Sequence, residues 1–293
     1  MKAGAGLCAL LLLAACGPSV PPPATAPTPS AAPERRPDRI DPLAFDLSGA
    51  PVQGGVLYGN VPAGTVALRL DGNAVPFAPD GRFIIGFGRD AQATALLEAE
   101  LGDRSHVRAP LRVAPRTWDI QSLPTLPRGT DPTPEFLARR KIELERIAAA
   151  RAVQGGSDGW RKPFIWPVTG RISGVFGSQR IYAGEPGAPH SGVDVARPTG
   201  TPIVAPADGV VTLAAETPFT LEGYLLMIDH GMGLNSAFLH LSRIDVRPGQ
   251  RVAQGQLLGA IGTSGRSTGP HLHWGMKWQD ERIDPQPLAG PMR

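Results

Sequence analysis

Five residues in the C-terminal part of the chain have the types and spacing to hold a divalent metal and still move protons. They are His190 and Asp194 in His190-Ser191-Gly192-Val193-Asp194, the lone His240, and His271 and His273 on either side of Leu272. Catalytic zinc is typically tetrahedral, held by three protein N, O or S donors, with water or substrate in the fourth position. Two spaced pairs and one lone histidine supply three ligands and leave two imidazoles free to move protons. That surplus separates a catalytic site from a closed structural one. One zinc ion per chain is the expected cofactor.

The elements that must position these residues read as β throughout from Phe164 onward. Pro202–Ala205, Gly209–Leu213, Tyr224–Ile228, Ser236–Leu239 and His271–Trp278 are strand-like, with Asp208-Gly209, His230–Gly233 and Pro248-Gly249 at turns. Side chains alternate along a strand, so His271 and His273 share a face that Leu272 does not. Gly192 and the β-branched Val193 and Val195 argue against a helix between His190 and Asp194 and for a turn entering a strand. His230 is expected to shape a hairpin, Asp284-Pro285 to end the last strand, and Trp274 and Trp278 to pack.

Spaced His and Asp pairs arise often by chance, but here their surroundings agree as well. Phe176–Arg180, His190–Asp194, Phe238-Leu239-His240-Leu241-Ser242 and Gly262–His273 occur in one order that resembles the lysostaphin-type (LytM-like) zinc metallopeptidases. The resemblance covers about residues 164–288, under half the chain. It implies a compact, largely antiparallel β metallopeptidase fold and hydrolysis of peptide bonds in bacterial peptidoglycan. It further implies that His190, Asp194 and His273 bind zinc and that His240 and His271 form the catalytic pair. Two neutral imidazoles and one carboxylate would leave the metal net positive, able to acidify water and polarise a carbonyl. One remaining imidazole would act as general base and acid, the other would hydrogen-bond the oxyanion, and the sequence leaves open which does which. Tyr182, before the first ligand, and Ser264 and Arg266, in the glycine-rich segment 264–270, are candidate substrate-binding residues.

The N-terminus reads as a secretory signal over residues 1–15. Lys2 precedes a short apolar run ending Leu13-Ala14-Ala15-Cys16, which looks like a bacterial lipobox with Cys16 as the lipidation site. Of two cysteines, Cys8 would leave with the signal and Cys16 would be acylated, so no intramolecular disulfide is expected. Gly17 after the cysteine implies, by likeness to Gram-negative lipoproteins, the periplasmic face of the outer membrane. Residues 16–43, rich in Pro, Ala, Ser and Thr, form a semi-rigid tether.

The expected architecture is mainly β. A small β-sandwich over 44–116 is followed by a connector over 117–160 with an amphipathic helix, then the metallopeptidase domain over 161–290. The helix runs from Asp131-Pro132-Thr133-Pro134 to Ala152 through Phe136, Leu137, Ile142, Leu144 and Ile147, acting as a strut between two β domains. His106 stands alone in the sandwich and carries no chemistry. A net charge of +3 without a dense basic cluster argues against nucleic acid as a partner. The expected partners are peptidoglycan peptide stems and, through the lipid anchor, a membrane; an envelope regulator is not identified. The main rival is a non-catalytic LytM-like activator of cell-wall amidases, which would have lost zinc ligands, whereas all five site residues are present. A lipoyl-type carrier needs a lysine at a hairpin tip, and Lys277 follows the histidine pair on a strand.

Overall fold

The structure, a computed structural model, describes Met1 and residues 36–125 and 132–292. The signal segment apart from Met1, Cys16, most of the tether and Asp131 lie outside the described residues. The unit Arg35–Arg293 carries every described element.

The architecture is mainly β. In the N-terminal part, a five-stranded sheet runs in the spatial order Arg39–Ile40, His106–Arg112, Thr94–Leu101, Thr65–Leu70, Asn73–Ala74. A two-stranded sheet, Val56–Asn60 with Arg82–Gly86, completes a small sandwich. Period-2 patterning decides the faces: Ala95, Leu97, Ala99 and Leu101 are buried on one strand, Val107, Ala109 and Leu111 on the next. The sheet begins earlier than expected. Arg39 and Ile40, assigned to the tether, pair in parallel with Val107 and Arg108, and Phe45 is wholly buried just after them.

The C-terminal part is built on a ten-stranded sheet in which every neighbouring pair is antiparallel. Its centre runs Gly209–Ala214, Tyr224–Gly231, Leu234–Ile244, His271–Trp278, Gly192–Ala196 and Arg171–Gly174. The connector is less free than its prolines suggest. Ile120–Leu123 pairs in parallel with Gln179–Tyr182, and Trp118 meets Phe176 edge-on at 5.8 Å. One continuous apolar core runs from Phe45, Phe83 and Ile84 in the sandwich to Trp274, Trp278 and Ile283 in the large sheet. Asp284 helps join the two halves. Its amide donates to the Gly54 carbonyl at 2.7 Å and its carboxylate accepts from Arg116 at 2.9 Å. It also caps a short helix, Pro285–Ala289, rather than simply ending a strand.

The linker helix spans Pro134–Ala152, with the Thr133 hydroxyl accepting from the Phe136 amide as N-cap. Ile147 and Ala150 pack on Leu213, Ala215, Phe219, Leu225 and Met227. Leu137, Ile142 and Leu144, expected on the buried stripe, are about half exposed, and a carboxylate, Glu143, is buried in their place. The reason is electrostatic. Glu143 accepts from the Thr220 amide and hydroxyl, both at 2.7 Å, and from Arg139 and Arg140, both at 3.1 Å. A buried carboxylate persists only when its oxygens are satisfied in this way.

Candidate metal centre

The strand Gly192–Ala196 lies antiparallel to His271–Trp278 with Asp194 directly opposite His273. Residues opposite one another project from the same face, so the carboxylate and the imidazole meet. His190 joins from the preceding loop, which is pinned by amide bonds from His190 to the Ser178 carbonyl and from Gly177 to the His190 carbonyl. The result is a tight triangle. His273 Nδ1 lies 2.9 Å from Asp194 Oδ1 and 3.1 Å from His190 Nε2, and His190 Nε2 lies 3.1 Å from Asp194 Oδ2. Bonds of 2.0–2.1 Å to a tetrahedral zinc put neighbouring donors about 3.3 Å apart, so this two-nitrogen, one-oxygen set fits that ion. The other nitrogen of His190, Nδ1, is 3.1 Å from the Val175 carbonyl, which fixes Nε2 as the free donor atom.

The electrostatics agree with a ligand cluster. Burial opposes the Asp194 charge, but hydrogen bonds from His190 and His273 outweigh it and hold the carboxyl well below the usual carboxylate range. Burial lowers His273. At His190 burial acts the same way, yet the hydrogen bond and charge of Asp194 prevail and raise it.

His240 and His271 stand beside this triangle with ring centroids 4.8 Å apart. His271 shares the strand face of His273, and its Nε2 is 3.8 Å from Asp194 Oδ1. Its Nδ1 lies 2.8 Å from the Gly269 carbonyl and 3.3 Å from the Ser267 hydroxyl. His240 arrives differently. Up to Leu239 its strand pairs with His271–Trp278, and from Leu241 it pairs with Leu257–Ile261. His240 sits at the change of partner with φ +63°, a left-handed conformation that costs a side-chain-bearing residue about 1–2 kcal/mol. Two bonds hold it there: its amide donates to the Glu222 carbonyl at 2.8 Å, and its Nδ1 lies 2.9 Å from the Ser264 carbonyl. Burial pushes His240 down to about 4, so the ring is neutral at ordinary pH.

The remaining candidates fall elsewhere. Ser264 acts through its backbone: its hydroxyl is occupied, accepting from the Tyr224 amide at 2.8 Å and donating to the Leu241 carbonyl at 2.7 Å. Arg266 is exposed, with its amide bonded to the Leu221 carbonyl at 2.9 Å. Tyr182 ends the strand Gln179–Tyr182 and rests against Gly187. His230 is not a turn residue but fully buried, with Nδ1 2.9 Å from the Asp208 carbonyl and Nε2 2.8 Å from the Ser236 hydroxyl. Trp274 and Trp278 are buried on the core face, as packing requires.

The linker helix adds a support that the linear pattern did not disclose. Arg140 clamps both oxygens of Glu222 at 2.6 Å, and the Glu222 carbonyl holds the His240 amide. Glu143 and Arg139 bind the same loop at Thr220 and at the Pro218 carbonyl. The signal available in sequence was an acid three and four residues after Arg140 and Arg139. Nothing in that spacing points to a loop 77 to 82 residues away.

Comparison with known proteins bears on the same residues. Residues 188–285 match the model of peptidase family M23. A solved structure described as a peptidase M23 from Pseudomonas aeruginosa is 31% identical, with a TM-score of 0.65, covering 83% of this chain and 97% of that one. The peptidoglycan DD-endopeptidase ShyA of Vibrio cholerae is 43% identical over 105 residues, which is 36% of this chain and 24% of ShyA. The DD-carboxypeptidase/endopeptidase Mpg of Neisseria meningitidis is 36% identical over 121 residues, 41% of this chain and 27% of Mpg. The match thus spans about a quarter of the length of these curated relatives. The likeness to the Pseudomonas structure, by contrast, extends well beyond residues 188–285. With both the metal-centre segment and nearly the whole of that structure matched, the chain belongs to peptidase family M23.

Proposed function

We propose that the chain is a zinc-dependent endopeptidase that hydrolyses peptide cross-links of bacterial peptidoglycan. The observation that carries this reading is a three-donor cluster beside two further imidazoles, each with Nδ1 held at a backbone carbonyl. Bound by His190, Asp194 and His273, zinc would supply Lewis acidity toward a carbonyl and make water acidic near neutral pH. The remaining work falls to the chain itself. With Nδ1–H donated to a carbonyl, each free imidazole turns Nε2 into the cleft. His240, kept neutral by burial, is assigned the proton of the attacking water at Nε2 and its return to the leaving amine. His271 is assigned the hydrogen bond to the developing oxyanion. The names of ShyA, a peptidoglycan DD-endopeptidase, and of Mpg, a DD-carboxypeptidase/endopeptidase, support a DD-peptide bond as the bond cut.

Purified sacculi incubated with the zinc-loaded full chain should release monomeric muropeptides, and a chelator should stop the release. Intact sacculi together with stimulated amidase activity would instead favour the non-catalytic activator. We also infer a lipid anchor at Cys16 that holds the chain at the outer membrane facing the periplasm. A Cys16→Ala protein that still partitions with membranes would contradict it.

A further inference from the structure

The strand face that carries His271 and His273 does not end at the metal centre. It continues through Gly275 to Lys277, since alternate residues share a face and this strand pairs with both neighbours without a register shift. Gly275 and its cross-strand neighbour Ala237 leave a low floor between His273 and Lys277. Directly opposite Lys277 on the edge strand is Arg282, so both side chains leave the sheet on the same side. Arg151, from the last turn of the linker helix, is close enough that its charge acts on both.

Among the described residues the trio is only partly neutralised. Arg151 Nε is buried without a hydrogen-bond partner. Glu222 is in range of Arg151 and Arg282 but is committed at both oxygens to Arg140. Asp280 pairs with Lys277 at 3.6 Å from a wholly exposed position. Burial, and after it the charge of the neighbouring cations, disfavours the protonated forms of Arg151 and Lys277. Arg151 and Lys277, both half-buried, and Arg282, exposed on the edge strand, repel one another, and an incoming anion relieves that repulsion.

We propose that Lys277, Arg282 and Arg151 form a carboxylate-binding subsite at the far end of the cleft, about 13 Å along the strand from His273. Its ligand is an acidic group of the substrate peptide, for which guanidinium supplies paired donors. The inference rests on reading the metal centre as a peptidase and gives that peptidase a preference for negatively charged stems.

The test uses peptide dimers released from Gram-negative sacculi, with carboxylates either free or capped as methylamides. They are titrated calorimetrically into the full chain carrying His271→Ala, which blocks turnover. The free-carboxylate dimer should bind about tenfold tighter than the capped one. Arg151→Gln together with Arg282→Gln should erase that difference while leaving the Kd of the capped dimer unchanged. Equal affinity for the two dimers, or a parallel loss of both in the double variant, overturns the subsite. The two-dimer comparison on one protein stands even where the double variant fails to fold. Hydrolysis is scored separately with the unsubstituted chain: failure to cut either dimer strikes the peptidase reading, whereas the binding preference is still read.

Discussion

The pocket around His230 and the cleft around His240 place the same side chain in similar burial and put it to opposite uses. Both imidazoles are pushed down to about 4 by burial, so both are neutral at ordinary pH. His230 has a partner at each ring nitrogen, the Asp208 carbonyl and the Ser236 hydroxyl, and an edge-on contact with Phe164 at 5.0 Å. His240 has one, the Ser264 carbonyl, and among the described residues no hydrogen bond uses its Nε2. His230 lies at a register shift inside its strand without a left-handed backbone angle, while His240 holds one at the point where its strand changes partner. Burial and a depressed pKa therefore do not mark a functional histidine. An unused nitrogen facing a ligand cluster, bought with local backbone strain, does.

Substitution should separate the two sites most sharply. His240→Ala is expected to lower kcat on peptide dimers by about 10²- to 10⁴-fold while barely moving the thermal midpoint. His230→Ala should do the reverse, losing about 2–4 kcal/mol of stability with activity retained at permissive temperature, because it strands the Ser236 hydroxyl and opens a cavity. Paired kinetics and thermal unfolding check both. A stable, inactive His230→Ala protein would break the comparison.

Acid titration should show His230 in the stability curve. Its folded pKa is depressed to about 4 against an ordinary 6.5, so between those values the unfolded chain binds the extra proton. Stability is fully present above 6.5 and is lost as pH falls toward 4, by on the order of 3 kcal/mol for this one group. Denaturant titrations of the unsubstituted chain and His230→Gln at pH 7 and pH 4.5 measure it. The variant should show a slope shallower by that amount.

A smaller effect is expected from the support of His240. Arg140→Gln removes the clamp on Glu222 and should lower kcat about tenfold with KM little changed, since misplacing a catalytic group by a fraction of an ångström is costly. Arg140→Lys should recover part of it, and an unshifted kcat would confine Arg140 to holding the helix. Smallest is the helix cap: Thr133→Ala should cost about 1 kcal/mol without touching kcat, read as a drop in thermal midpoint alone.

How much of this was legible in the chain depends on whether side chains or backbone did the work. The ligand set could be read because His and Asp carry their chemistry in their type, and because period 2 puts His271 and His273 on one face. That Asp194 lies opposite His273 is a matter of register, set by pairing and not by spacing. The bonds that orient His240 come from the carbonyls of Glu222 and Ser264, and a carbonyl has no sequence signature. Helical periodicity placed Leu137, Ile142 and Leu144 on the buried stripe, but satisfied hydrogen bonds turned Glu143 inward instead. Ile120–Leu123 is mostly exposed and shows no alternation, so only its parallel partner identifies it as a strand. The cationic end of the cleft was hidden for a further reason. Arg151, Lys277 and Arg282 are scattered along the chain and form no basic run.

Metal content across five single substitutions tests the central claim most directly. Natively purified protein should hold one zinc per chain by elemental analysis. His190→Ala, Asp194→Ala and His273→Ala should lose it, while His240→Ala and His271→Ala keep it and are inactive. A metal-free native protein, or zinc retained after Asp194→Ala and lost after His240→Ala, would contradict the account.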